Sequence, residues 1–207
     1  MEVTPSPEQL RMLNNLLIAA LTLLGSAGLL QVNYLQLKAN VAQKLIAKSW
    51  QQHQQEISKG EESTVKPWSW ADFNAIARLR WQQHDIYVLS AVSGQALAFG
   101  PGHLPASARP GSGGRIIIAG HNDSHFAFLQ ELQTNDELSL EDAQGGNKTY
   151  KISSIDIVDS RMTKLQQAQQ DELLLVTCYP FNSMSRNTPL RLVITANVFD
   201  KPERTPT

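Results

Sequence analysis

Beyond Trp81 the chain is cut into short runs of β-branched, aromatic and aliphatic residues, and this spacing restricts the folds open to it. The runs cover residues 86–92, 96–99, 115–119, 137–140, 149–158, 173–177 and 190–198. Between them stand Ser93-Gly94, Gly100-Pro101-Gly102, Pro110-Gly111-Ser112-Gly113-Gly114 and Gly145-Gly146-Asn147. Side chains of these kinds suit a pleated surface, and glycine or proline ends it, so each run reads as a strand. Seven or eight strands within about 115 residues make a mainly β fold, a closed barrel or a sandwich. Short helices are expected at 126–132 and 163–170.

The N-terminal part has a different texture. Residues 13–37 carry no charge, and their centre reads LLIAALTLLGSAGLL. A helix needs about 20 apolar residues to cross a bilayer. The stretch reaches that length by including Gln31 and Asn33. It is read as a retained transmembrane anchor, since no Ala-x-Ala-like cleavage site follows the apolar run. From 38 to 65 the apolar residues Val41, Leu45, Ile46 and Trp50 recur at helical spacing among glutamines, which predicts a helical stalk or linker. Trp68 and Trp70 read as core or membrane-interface anchors.

Composition removes several function classes. With 18 basic and 19 acidic residues the net charge is −1, so no basic surplus exists to neutralise phosphates, and nucleic acid is not an expected partner. A single cysteine excludes an internal disulfide framework and any CxxC-based zinc site.

That cysteine carries the chemistry. Cys178 ends the apolar run Leu173-Leu174-Leu175-Val176-Thr177 and precedes the turn-prone Tyr179-Pro180-Phe181-Asn182-Ser183. A lone cysteine is by default a buried, inert thiol. A strand end beside Tyr-Pro instead offers a thiol to substrate. His121 follows the strand Ile116-Ile117-Ile118-Ala119 and Gly120 in the same manner, and an imidazole there can exchange a proton with the thiol and then protonate a leaving amine. Arg191 lies on the apolar strand at 190–198; a guanidinium aimed at an acyl oxygen stabilises the charge that acyl transfer builds there. Arg186, in the preceding loop, is the competitor for that role. A metal site drawn from His103, His121, His125, Asp123 and Cys178 is the rival reading, but Gly120 and the lack of a Glu beside His121 disfavour a metal-binding helix.

Val176-Thr177-Cys178-Tyr179-Pro180-Phe181, with Arg191 thirteen residues after the cysteine and Ala119-Gly120-His121 upstream, resembles the sortase family of cysteine transpeptidases. Pro67-Trp68-Ser69-Trp70-Ala71-Asp72, the segment from Leu97 to His103 and the segment from Gly120 to Phe126 resemble the branch found in Gram-negative bacteria. The likeness implies an eight-stranded β-barrel at 66–200, with residues 1–12 cytoplasmic, 201–207 a tail, and the catalytic domain facing the periplasm from the inner membrane. It implies cleavage of a C-terminal LPxTG-like sorting signal through a Cys178 thioester, with His121 as general acid/base, Arg191 as oxyanion stabiliser, and an amine as acyl acceptor. Asp123, His125, Thr177 and Tyr179 are the expected supporting or substrate-binding residues. No metal or other cofactor is implied. A literal count of Arg11 against Lys38, Lys44 and Lys48 would place the domain in the cytoplasm; the resemblance is preferred to that small bias. Asn122 and Ser124 depart from the Arg and Thr more usual in that branch. The alternatives are a membrane-anchored cysteine hydrolase and a non-catalytic periplasmic β-domain that binds a partner protein.

Overall fold

The computed structural model describes residues 7–61, 64–163, 170–181 and 188–199. Helix α1 runs over Pro7–Ser58. The strands are β1 (Ala75–Trp81), β2 (His84–Leu89), β3 (Gly102–His103), β4 (Arg115–Gly120), β5 (Glu137–Asp142), β6 (Asn147–Asp159), β7 (Glu172–Cys178) and β8 (Leu190–Val198). A one-turn helix α2, Gly94–Leu97, precedes β3, and a 3-10 turn at Ala127–Glu131 lies between β4 and β5. The strands close a barrel in the order β1-β2-β3-β4-β7-β8-β6-β5. Closure decides between barrel and sandwich, and it leaves no open edge to template aggregation.

Two pairs are parallel, β2 with β3 and β4 with β7; the others are antiparallel. Side chains alternate across each strand. Ile116, Ile118, Leu173, Leu175, Leu192 and Ile194 point into the barrel core, together with Leu79, Leu138, Tyr150 and Phe126. Ile117, Leu174 and Val193 form a second cluster on the outer face, packed by Leu104, Val158 and Val176. Cover on both faces explains why β4 and β7 read as unbroken apolar runs instead of alternating ones.

The structure corrects the sequence reading in two places. Residues 96–99 belong to α2 and the turn after it, because Ser93 Oγ accepts from the Ala96 N–H (3.0 Å) and caps a helical turn where a strand was expected. β1 was not anticipated. Its alternation of Ala75, Ala77 and Leu79 with Arg78 and Arg80 carries little hydrophobic signal, and the Gln82-Gln83 turn to β2 lacks Gly or Asn although Gln82 sits at φ 48°. Glu141, one residue before the end of β5, pairs with Arg80 and accepts from Gln54 Nε2 (2.8 Å). The helix expected at 163–170 falls largely outside the described residues.

The chain divides into two compact units, 1–42 and 43–207. In the second, Ile46 and Trp50 are 1% exposed and join Ala71, Phe73, Ala75, Leu89, Ala96 and Ala143 in one apolar cluster, with Trp68 and Phe99 against it. Trp68 meets Phe99 edge-on at 4.9 Å, whereas Trp70 is 67% exposed. In the first unit, α1 is long and apolar enough to cross a membrane. Two polar side chains within its apolar stretch bond to the helix itself: Ser26 Oγ donates to Thr22 O (2.5 Å) and Asn33 Nδ2 to Leu29 O (2.8 Å).

Candidate active site

Strands β4, β7 and β8 are neighbours in the barrel, and the C-terminal ends of β4 and β7 share a rim with the start of β8. Cys178 is the last residue of β7, a half-buried free thiol. Its register partner on β8 is Arg191. Residues directly opposed in an antiparallel pair project to the same face. Since Leu173 and Leu175 point inward, alternation places Thr177 inside and Cys178 on the outer face, with Arg191 beside it.

His121 reaches the same rim by the parallel register. The last β4–β7 pair is Gly120 with Thr177, so His121 and Cys178 are each one residue beyond it. Two hydrogen bonds bracket them. Thr177 Oγ1 donates to the Gly120 carbonyl (2.7 Å), and Asn122 Nδ2 donates to the Pro180 carbonyl (3.1 Å). The segment from His121 closes on itself, with the Phe126 N–H donating to the His121 carbonyl at 3.0 Å. Gly120 is required at its place: a Cβ there would sit 2.8 Å from the buried Phe126 ring.

Arg191 is held by its own backbone surroundings. One guanidinium nitrogen donates to the carbonyls of Thr188 (2.7 Å) and Leu190 (2.8 Å), and among the described residues no carboxylate pairs with it. A cation anchored at one edge keeps its other N–H groups for an anionic ligand atom. Arg186 lies outside the described residues.

The remaining expected residues divide by place. Asp123 is exposed on the His121 loop. His125 is half-buried; burial pushes its pKa down, the Ala98 carbonyl that it bonds opposes this, and the nearby His121 adds to it. Thr177 serves as the buried strap just described. Tyr179 donates its N–H to the Leu190 carbonyl (3.1 Å), and its ring packs edge-on against Phe181 at 6.4 Å beside the barrel core. His103 is buried at the end of β3, bonded to the Ala108 carbonyl. Among the described residues, no three His, Cys, Asp or Glu side chains gather as ligands for a metal ion. Sequence reasoning missed the Asn122–Pro180 link and the carbonyl anchor of Arg191. A polar amide directly after His121 was the one visible signal.

The sortase-domain family model matches residues 76–199. The chain belongs to the sortase family. It is 34% identical over 112 residues to Sortase D of Bacillus subtilis (strain 168), a match covering 53% of this chain and 56% of that protein. The chain thus spans little more than half the length of that relative. Among solved structures, a Clostridium perfringens Sortase D5 transpeptidase superposes with a TM-score of 0.61 at 20% identity, covering 78% of this chain and 99% of that one. A sortase C from the same organism, determined with the C-terminal cell wall sorting motif, gives 0.55 at 18% identity, covering 79% and 90%. The sortase barrel is therefore the frame on which Cys178, His121 and Arg191 stand.

Proposed function

We propose that this chain is a membrane-anchored cysteine transpeptidase that cuts an LPxTG-like signal at the C-terminus of a partner protein and joins the new acyl end to an amine. The observation that carries the reading is the register: Cys178 opposite Arg191 on one side, and one residue beyond the Gly120–Thr177 pair, level with His121, on the other. In the reaction, the Cys178 sulfur attacks the threonine carbonyl carbon of the signal. The carbonyl oxygen becomes an oxyanion, which Arg191 stabilises. His121 takes up the Cys178 thiol proton as the sulfur attacks and gives it to the leaving amine as the C–N bond breaks, leaving a thioester. An incoming amine then attacks that carbon, and His121 takes up the amine proton and passes it to the sulfur as the C–S bond breaks, which restores the thiol.

Residues 13–37 are assigned as the anchor and 66–200 as the catalytic domain, with the last turns of α1 docked on it. Internal bonding of Ser26 and Asn33 supports the anchor, because a bilayer offers no water to satisfy polar groups. Placement in the inner membrane, with the domain in the periplasm, rests on the motif likeness at 67–72, 97–103 and 120–126.

The test uses the full chain in detergent micelles with an LPxTG peptide, with and without an added amine. Mass spectrometry is expected to show an acyl adduct on Cys178, and a peptide–amine conjugate when the amine is present. Cys178→Ala should give neither. Free acid alone in the presence of amine would make the chain a hydrolase, and no adduct at all would remove the enzyme reading.

A further inference from the structure

The β4–β7 ladder stops at Gly120 and Thr177, so pairing between these two strands does not hold His121 against Cys178, whose register partner is Arg191 of β8. His121 opens an exposed loop, and Cys178 leads into another. Beyond them, among the described residues, the chains are joined again by the side chain of Asn122, whose amide reaches the carbonyl of Pro180 at 3.1 Å. That carbonyl can only accept, so the amide NH₂ faces it and the amide oxygen points away. On the near side, Thr177 Oγ1 makes the corresponding link to Gly120. The imidazole and the thiol thus stand inside a frame with one hydrogen bond behind them and one in front.

We propose that Asn122 is a positioning residue, which fixes the spacing of His121 and Cys178 by tying the loop after the histidine to the loop after the cysteine. It touches neither substrate nor reacting atoms; it acts through the histidine. The inference rests on the Cys178–His121 reading given above. Proton transfer between the two falls off steeply with misplacement, and an error of about 1 Å can cost on the order of a hundredfold in rate.

Three substitutions separate this role from packing. Asn122→Asp keeps shape but sets a carboxylate against a carbonyl, so two acceptors face each other. Asn122→Ala removes the link, and Asn122→Gln keeps a donor. Two measurements on the full chain in micelles read them. The first is the rate of Cys178 alkylation by iodoacetamide across about pH 5 to 9, which follows the thiolate and needs no substrate. The second is kcat and KM for the LPxTG peptide. His121→Ala sets the reference profile for a thiol without its base.

Asn122→Asp and Asn122→Ala are expected to move the alkylation profile toward that of His121→Ala and to lower kcat about tenfold with KM little changed. Asn122→Gln should recover most of both. If His121→Ala moves the profile but Asn122→Asp leaves profile and kcat at wild type, the positioning role is wrong while the catalytic pair stands. If His121→Ala leaves the profile unmoved, the pair itself fails and this inference falls with it.

Discussion

His103 sits at the end of β3 with 3% of its surface exposed, and its Nε2 lies 2.9 Å from the Ala108 carbonyl and 3.1 Å from Ser107 Oγ. The Ser107 hydroxyl donates to the Leu104 carbonyl, and the Ala108 carbonyl can only accept, so Nε2 carries the proton. Burial pushes the His103 pKa down, the bond to Ala108 opposes this in part, and the Arg109 charge adds to it. His125 shifts in the same direction, again mainly through burial. A histidine whose folded pKa lies below its unfolded value binds fewer protons when folded. Its stabilising effect is complete above the unfolded value, about 6.5, and is lost as pH falls below that. Melting temperature is therefore expected to drop between about pH 7 and 5, by about 2–4 °C for each kcal/mol lost. His103→Gln, whose side-chain amide can still donate to Ala108, should flatten part of that slope in circular dichroism melts. An unchanged slope would assign the effect to His125 or to other groups.

At the scale of elements, the sequence displayed β4 and β7 most clearly because both faces of each are covered, so every position from 116 to 119 and from 173 to 176 is apolar. It also placed Cys178, His121 and Arg191 at the ends of separate strands. Their adjacency was legible only through family resemblance, since the β4–β7–β8 order depends on pairings distant in sequence. β1 was hidden because two of its four inward positions are alanines and two of its three outward ones are arginines, which pair with Asp85 and Glu141 across the strands. The α1 stripe was half legible. Helical spacing grouped Val41, Leu45, Ile46 and Trp50, yet Ile46 and Trp50 are buried while Leu45 is 38% exposed. One apolar stripe thus separates into docked and solvent-facing members. Trp50→Ala should lower unfolding free energy by about 3–5 kcal/mol in urea titration, as removal of a buried aromatic does. Leu45→Ala should stay within about 0.5 kcal/mol of wild type. Equal losses at both positions would mean that the helix docks through a different face.

For the whole molecule, the unit that holds the barrel begins inside the helix, ahead of the first strand. Gln43 Nε2 donates to the Phe99 carbonyl (2.7 Å), and Gln54 reaches Glu141, so α1 is tied at both ends of its docked stretch to the unit that holds the barrel. Between those ties Ile46 and Trp50, and just past them Ile57, pack with Phe73, Ala75 and Leu89. A fragment that starts at residue 60 would retain every strand and the whole candidate site, yet leave this cluster open to water. A domain's net stability is only about 5–15 kcal/mol, and burying one such side chain is worth roughly 1.5–3 kcal/mol, so losing three removes a large share of it. Residues 43–207 are expected to unfold in one cooperative step. Residues 60–207 should melt at lower temperature and bind a hydrophobic dye before unfolding, because a contiguous apolar patch is exposed. Matching melting curves for the two fragments would show that the last turns of α1 add nothing to the fold, and would move the start of the folded unit to the segment that carries Trp68 and Phe73.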